Sequence, residues 1–460
     1  MATPSRLVIA QRLIRLGAPI AAGRLGIVGM GVVDTVVVGQ LAPHELAHQA
    51  LGWTLNGPAL LGGVGLLLGV QVQTARAIGG GATAGLGVVW RRGIVIGLVA
   101  GAVVCILIWT SAAAVLQGLG VAVTLARRGA AVAAVLTLSI PSHLAFMASA
   151  KMLEALERPT PAALAMWIAN GANLALNLAL VPGGGAIGSA WATVLSRLLL
   201  ALALPVYMMA VGPVRRLLAG PAAVGRFGYG PLMRIGAAAA LSGLVEAGAF
   251  SAMAVIAARH GGAVAVAVFT VATGSLLTLV YLLAQGFATA AVVLVSEAIG
   301  AGDERAAGRI GWSALALTLA AMAASGAGCL AFSPQLARAF TADGATQAGL
   351  VSTMGLIALL MVPDGGQGPA DATLRARGDN WFPTAARFTA FVVLAPSLAI
   401  WLAPRMARPA EGVLLALLIA SAVALAALVA RMAAVPSSGR TQRGQNRLAR
   451  PAEAGTGRRK

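Results

Sequence analysis

Three acidic residues lie inside long apolar segments of this chain, where an ionised side chain is costly. Asp34 lies in GMGVVDTVVVGQ, Glu246 in LSGLVEAGAFSAM and Asp364 in MVPDGGQGPAD. A charge at the centre of a lipid bilayer costs about 3 kcal/mol or more, so such residues usually line a cavity and carry function. The functional hypothesis is a carboxylate that binds a proton or a small cation. The alternative is a buried acid satisfied by its neighbours, and for Asp364 the surrounding glycines also allow a loop.

Amide side chains form a stripe in a second segment, WIANGANLALNLAL. Asn170, Asn173 and Asn177 are three and four residues apart, which places them on one face of a helix. Such a stripe either holds helices together or supplies oxygen ligands, and the spacing leaves both open. Thr193 is a candidate to join the group, with a packing role as the alternative. Pro19 shares the apolar segment of Asp34 and is a candidate hinge, since prolines allow helices to bend.

The composition decides which elements position these residues. The 460 residues are 59% hydrophobic and only 10% charged, with a mean hydropathy of +0.87. Soluble globular chains are about 45–50% apolar and about 25% charged, and disordered chains are poor in apolar residues. A β-barrel is disfavoured because its segments are short and alternating. The sequence therefore predicts an all-α membrane protein, in which length permits about 12 spanning helices of roughly 20 residues each.

Turn and charge clusters divide the chain into two groups of six apolar segments. We predict an amino-terminal six-helix lobe over residues 1–211, a basic linker over 212–234, a carboxyl-terminal six-helix lobe over 235–435 and a disordered basic tail over 436–460. The twelve predicted segments are 16–40, 51–77, 93–116, 130–150, 161–181, 188–211, 235–258, 264–298, 310–332, 349–373, 382–403 and 411–432.

The two groups repeat one another in sequence. LIRLGA at residues 13–18 matches LMRIGA at 232–237, ARAIGGG at 75–81 matches SEAIGAG at 296–302, and IPSH at 140–143 matches VPDG at 362–365. The matches occur in the same order with nearly constant offsets. Six helices per group insert both groups the same way up, which predicts a parallel repeat about an axis along the membrane normal. This design favours a transporter with its cavity between two bundles.

The net charge of +19 indicates orientation more than a nucleic-acid partner. With the amino terminus in the cytoplasm, 25 of the 33 Lys and Arg residues lie on the cytoplasmic side. Cytoplasmic loops carry such an excess. We therefore expect a multi-pass protein of the inner or plasma membrane with both termini in the cytoplasm. Arg24, inside the first segment, either reaches the cytoplasmic surface or lines the inner cavity. Glu297 is predicted to be interfacial, opposite Arg76 in the repeat.

Other chemistries find little support in the sequence. Cys105 and Cys329 both lie in apolar segments and indicate no disulfide framework or thiolate metal site. The four histidines lack a metal-ligand spacing, and no nucleophile–base constellation is evident, so an enzyme is disfavoured. No cleavable signal peptide pattern is present. We expect no cofactor other than a coupling ion, H⁺ or Na⁺, and no nucleic-acid partner.

The same residues carry a resemblance to a known family. The chain resembles multidrug and toxic compound extrusion (MATE) transporters in the first segment, in KMLEALERPTP at residues 151–161, which is similar to an LQALGRxRP-like signature, and in DGGQGPADATLRARGDNWFP at 364–383. The resemblance covers about residues 13–432. It implies a cation-coupled exporter, monomeric, that exchanges H⁺ or Na⁺ for cationic amphipathic compounds by alternating access.

The resemblance also implies roles for the candidate residues. Asp34 is the coupling carboxylate of the amino-terminal lobe, with Asn173, Asn177 and Thr193 in its network, and Pro19 is the hinge. Glu246 and Asp364 match the carboxyl-terminal acids of the NorM-like branch, so Na⁺ at Asp34 or at Glu246 and Asp364 is an open alternative to H⁺.

Two positions depart from the family pattern. Leu360 stands where the NorM-like branch has a Tyr, which weakens a sodium site at Asp364. Asn177 stands where some members have a second acid, which leaves Asp34 as the only obvious titrating group of its lobe. A lipid-linked oligosaccharide flippase of the same superfamily is the alternative, but it would need a more basic cavity. A channel is a further alternative, and it would conduct down a gradient without exchange.

Overall fold

The computed structural model describes residues 5–219, 228–341 and 343–434. The described residues form sixteen α-helices joined by turns, π-helical segments and short 3₁₀ turns, and they contain no strand. A helix satisfies its backbone hydrogen bonds within one segment, which is what a lipid environment requires. The all-α membrane fold predicted from the sequence is confirmed. The predicted tail at 436–460 and part of the predicted linker, 220–227, lie outside the described residues.

The helices divide between the two predicted lobes. The amino-terminal lobe contains α1 (Arg6–Leu41), α2 (Leu46–Leu66), α3 (Leu68–Gly79), α4 (Leu86–Gly118), α5 (Val123–Thr137), α6 (Ser139–Ala155), α7 (Thr160–Ala210) and α8 (Gly212–Ala219). The carboxyl-terminal lobe contains α9 (Tyr229–Thr270), α10 (Thr278–Gly300), α11 (Glu304–Ala331), α12 (Ser333–Phe340), α13 (Gly344–Ala376), α14 (Trp381–Phe388), α15 (Ala395–Leu402) and α16 (Pro409–Ala434). The π-helical segment Val271–Leu277 joins α9 to α10, and Thr389–Leu394 joins α14 to α15.

Ten helical stretches of the described residues are long and apolar enough to cross a membrane. Two of them, Thr160–Ala210 with 51 residues and Tyr229–Gly300 with 72, greatly exceed the roughly 20 residues of one crossing. Gly185 (φ 55°, ψ −136°) interrupts the first and Gly262 (φ 61°, ψ −155°) the second. Both glycines fall between predicted crossings. Two crossings in each long stretch would give twelve, a number that stays a prediction.

Large apolar side chains remain on the outer surface, as a protein surrounded by lipid requires. Ile106, Leu107 and Trp109 of α4 are each more than half exposed. Soluble monomers rarely expose contiguous apolar patches of this kind. The exposed apolar surface therefore agrees with the membrane location predicted from composition.

Each lobe has its own apolar core, and a third core joins the lobes. The amino-terminal core packs α3, α4, α6 and α7, and the carboxyl-terminal core packs α9, α13, α15 and α16. The joining core combines the first half of α1 with the last half of α10; it includes Leu13, Leu16 and Ile20 on one side and Val292 and Val295 on the other. These halves lie on the side that the charge pattern assigns to the cytoplasm.

Glycine contacts between the lobes follow the internal repeat. A Cβ atom on Gly79 would lie 1.9 Å from the carbonyl oxygen of Glu297, and one on Gly300 would lie 2.1 Å from that of Arg76. Gly79 and Gly300 are 221 residues apart, as are Arg76 and Glu297. The two contacts are therefore equivalent under the repeat. The ends of α3 and α10 pack backbone against backbone with no room for a side chain, which closes the lobes tightly on this side.

Candidate functional site

The best-ordered polar cluster inside the membrane region surrounds Asp34. Its side chain, on α1, is 1% exposed. The Oδ1 atom accepts hydrogen bonds from Asn173 Nδ2 at 3.0 Å and Asn177 Nδ2 at 2.8 Å, and Oδ2 accepts one from Thr193 Oγ1 at 2.6 Å. The structure thus brings together all four residues that the sequence nominated for the amino-terminal lobe.

The break at Gly185 explains how one helix supplies all three donors. Asn173 and Asn177 precede Gly185 on α7, whereas Thr193 follows it. A straight helix would carry Thr193 about 30 Å from Asn173, because each residue rises 1.5 Å. The reversal at Gly185 lets both arms of α7 pack beside α1, so that donors from either arm reach the same carboxylate.

The cluster still has unused hydrogen-bond acceptors. Asn173 Oδ1 and Asn177 Oδ1 are buried and have no hydrogen-bond partner. Each amide spends its NH₂ on Asp34, so both carbonyl oxygens remain free to accept a proton donor or to coordinate a cation. A carboxylate with adjacent amide and hydroxyl oxygens is the ligand type that small hard cations prefer.

Arg197 lies one turn beyond Thr193 and belongs to the same neighbourhood. Its Nη1 donates to Ser139 Oγ at 2.9 Å, and its guanidinium carbon lies 5.4 Å from the ring centre of Trp53. Arg197 is 2% exposed and acts electrostatically on Asp34. It does not form an ion pair with Asp34 within 4.0 Å, so no basic group neutralises the acid by direct contact.

Asn170 has a structural role, which is one of the two alternatives that its spacing left open. Its Nδ2 donates to the carbonyl oxygens of Gly26, at 2.9 Å, and Met166, at 2.8 Å. The first of these bonds joins α7 to α1. Asn170 therefore holds the two helices together one turn from the Asp34 cluster.

Pro19 and Arg24 line a cavity of about 320 Å³ within the amino-terminal lobe, between α1, α6 and α7. Helix α1 continues through Pro19 without interruption. Glu154 also lines this cavity and accepts a hydrogen bond from Lys151 at 2.9 Å. Gln71 bonds both of them, so the three buried polar groups satisfy one another.

The acids of the carboxyl-terminal lobe form a second, separate group. Glu246 on α9 accepts a hydrogen bond at 2.5 Å from Arg387 Nη1 on α14. Asp364 on α13 is 6% exposed and lies within electrostatic range of both charges. Among the described residues, no group of three or more His, Cys, Asp or Glu side chains has an arrangement suited to a metal ion.

Sequence reasoning missed the partners of these acids. Arg387 and Lys151 were counted as cytoplasmic loop cations, but Arg387 is 6% exposed and Lys151 is 4% exposed. The position of Arg387 inside the segment 382–403 was the available signal, since a cation there needs an acidic partner. Nothing in the sequence identified that partner, which is 141 residues away.

A third group of charges joins the lobes at the closed side. Arg12 on α1 bonds Glu157 in its own lobe and, at 2.8 Å, Glu297 in the other. Arg76 donates to the carbonyl oxygen of Ala376 at 2.6 Å, again across the lobes. Glu297 thus lies at a helix end, as predicted, and pairs between lobes.

Comparison with known proteins was made on the full sequence and on the fold. The MatE family model matches residues 19–179 and again residues 238–401. The two matches begin 219 residues apart, as the internal repeat predicts. A probable multidrug resistance protein NorM from Caulobacter vibrioides is 35% identical over 426 residues, covering 91% of this chain and 90% of that protein. The multidrug resistance protein NorM of Aliivibrio fischeri is 26% identical over 376 residues, 80% of this chain and 81% of that protein.

Solved structures share the same fold. The crystal structure of the eukaryotic MATE transporter AtDTX14 superposes with a TM-score of 0.87 at 18% identity, covering 96% of this chain and 99% of that one. An outward-facing conformation of a multidrug resistance MATE transporter of the MOP superfamily gives 0.84 at 21% identity, covering 93% and 96%. At these identities the likeness extends to the fold alone.

Proposed function

Because this chain belongs to the MatE family of membrane transporters, we propose that it is a multidrug exporter of the NorM type that exchanges cationic amphipathic compounds for H⁺ or Na⁺. The observation that carries the coupling proposal is Asp34, a buried acid that makes three hydrogen bonds and no ion pair. Such a group is neutralised by the arrival of a proton or a small cation, and either event changes its hold on a cationic drug.

The donor set around Asp34 suits both coupling ions. Proton binding converts a carboxylate that only accepts hydrogen bonds into a group that also donates one. The free carbonyl oxygens of Asn173 and Asn177 are then ready acceptors for that proton. For Na⁺, the same oxygens and those of Asp34 are ligands. Both alternatives use the same three side chains, so the ion must be identified by experiment.

Alternating access is supported by where the lobes touch. The joining core and the bonds of Arg12 and Arg76 lie at the start of α1 and at the ends of α3, α10 and α13. With both termini in the cytoplasm, as we propose, this closed side faces inward and the Asp34 level opens outward. Rocking of two repeat-related bundles about a central site is the mechanism this architecture permits.

A cationic substrate is supported over an anionic one by the charges described so far. The membrane region contains Asp34, Glu246 and Asp364, and the basic residues near them are held by Ser139 or by Glu246. A flippase for a pyrophosphate-linked substrate would need unpaired cations in the cavity. Exchange between ion and drug also distinguishes this proposal from a channel.

The test is ethidium efflux in inverted vesicles, driven separately by a pH or a Na⁺ gradient. Asp34→Asn removes the titrating group while keeping its size, and we expect it to abolish efflux under both gradients. Asp303→Asn is the matched control, because Asp303 caps α11 by accepting from Ala306 N and asparagine caps equally well. The control should transport normally. Normal transport by the Asp34→Asn protein, at equal expression, would overturn the coupling proposal.

A further inference from the structure

The carboxyl-terminal lobe already contains a cation beside its acids. The Arg387 and Glu246 side chains, 7% and 19% exposed, approach to 2.5 Å between Nη1 and Oε2. Breaking a buried ion pair by removing one partner is strongly unfavourable, because the other charge is left uncompensated. Arg387 is therefore a lasting occupant of the space beside Glu246.

The surrounding helices hold the guanidinium in place. Tyr281 of α10 lies beside it, and Asp371 of α13 acts on it electrostatically. Asp371 has its own cation, since its Oδ1 accepts from Arg375 Nε at 2.5 Å. Of the acids near Arg387, Asp364 is thus the one that forms no ion pair within 4.0 Å among the described residues.

Oxygen donors for a small cation are nonetheless present near Asp364. Gln367, one helical turn further along α13, is 1% exposed, and neither atom of its amide has a hydrogen-bond partner. Ser421 Oγ on α16 is likewise buried without a partner and lies near Asp364. The chemistry of the donors therefore suits a cation, and the fixed positive charge of Arg387 opposes one. Two unit charges 4 Å apart interact by about 4 kcal/mol at an effective dielectric constant of 20.

We propose that Arg387 is a built-in counter-cation that excludes small inorganic cations from the Glu246–Asp364 site. The exclusion itself is a statement about binding. It rests on the proposed function only in its consequence, which is that the coupling ion binds at Asp34 and not in the carboxyl-terminal lobe.

The test is binding of ²²Na⁺ to the purified full-length protein by equilibrium dialysis, with choline balancing the ionic strength. All variants carry Asp34→Asn, so that the amino-terminal carboxylate contributes nothing. The Asp34→Asn protein should bind no more Na⁺ than a blank that also carries Glu246→Gln and Asp364→Asn. Adding Arg387→Gln to Asp34→Asn should create binding of one Na⁺ per chain, and Asp364→Asn should remove it. Arg387→Lys, which keeps the charge, is the matched control and should stay at the blank level.

Two results would overturn the proposal. One is Na⁺ binding by the Asp34→Asn protein that Asp364→Asn removes, since Arg387 is then no barrier. The other is blank-level binding when Arg387→Gln is present in a protein that remains monodisperse. Arg387→Met serves in its place, by the same criteria, if the glutamine variant aggregates. Efflux is not part of this readout, so failure of the Asp34 coupling test and failure of this one are distinguishable.

Discussion

At the scale of single residues, the site depends on how one carboxylate is held. Asp34 lies on α1, and its three hydrogen-bond donors all come from α7. Hydrogen bonds to a charged group contribute about 1.5–3 kcal/mol each. Loading Asp34 with an ion therefore changes the contact between these two helices before it changes anything else.

The Thr193 hydroxyl offers a direct test of this arrangement. Thr193→Val removes the donor to Asp34 Oδ2 while nearly preserving shape, and we expect ethidium efflux to fall about tenfold, corresponding to about 1.4 kcal/mol. Thr193→Ser keeps the hydroxyl and should transport close to the wild-type rate. Equal rates for the valine and serine variants would show that the hydroxyl contributes nothing to the site.

The sequence predicted this cluster well because its signals are local. An acid in an apolar segment and amides at helical spacing are visible without knowing the fold. The partner of Glu246 was missed for the opposite reason. Arg387 is 141 residues away, and counting basic residues by position treats a buried guanidinium as a loop charge. Pairing across that distance follows from helix packing, which a single sequence does not reveal.

At the scale of elements, the reversal of α7 at Gly185 is the feature on which the site depends. Its dihedral angles, φ 55° and ψ −136°, are sparsely populated by residues with a side chain. A Cβ atom there would also lie 2.9 Å from Cγ of Glu45. The sequence predicted a connection at this point, between segments 161–181 and 188–211, but not that the helix would continue almost to the break on either side.

We therefore predict that Gly185→Ala destabilises the protein by about 1–3 kcal/mol and displaces Thr193 from Asp34. The measurement is thermal aggregation of the detergent-solubilised protein together with efflux. Gly183→Ala and Gly184→Ala are matched controls, because neither glycine has a positive φ and a Cβ at either position meets nothing within 4 Å. Equal stability of all three variants would contradict the prediction.

Glu157 is the corresponding exception in the turn after α6. It has φ 55° and is the non-glycine residue with positive φ among the described residues, whereas Gly378, 221 residues later, has φ 96° after α13. The repeat thus uses a left-handed residue at both helix ends, and only one is glycine. The carboxylate of Glu157 bonds Arg12, which explains why a strained side chain is present where the family signature has glycine.

At the scale of the whole molecule, Arg12 connects the two lobes through Glu157 and Glu297. All three side chains are partly exposed, so each ion pair contributes at most about 1 kcal/mol. That amount is nevertheless enough to change the ratio of two conformations about fivefold. We predict that Glu297→Gln increases the fraction of molecules open to the cytoplasm by about this factor.

The measurement is the rate at which an impermeant maleimide labels Ala288→Cys in inside-out vesicles, with Cys105 and Cys329 replaced by serine. Ala288 lies in the joining core and is 8% exposed. Glu411→Gln is the control, since Glu411 pairs with Arg408 within one lobe. Unchanged labelling with Glu297→Gln, or an equal increase with Glu411→Gln, would contradict the assignment of this contact to the closed side.

The Glu246–Arg387 pair also has an electrical consequence. With that lobe neutralised from within, one cation enters for each drug molecule that leaves. Export of a monovalent drug then moves no net charge, so the membrane potential neither drives nor opposes it. A divalent drug would carry one charge outward against an interior-negative potential, at about 2.3 kcal/mol per 100 mV. The preference for monovalent compounds would thus be set by the voltage across the membrane and not by the shape of the cavity.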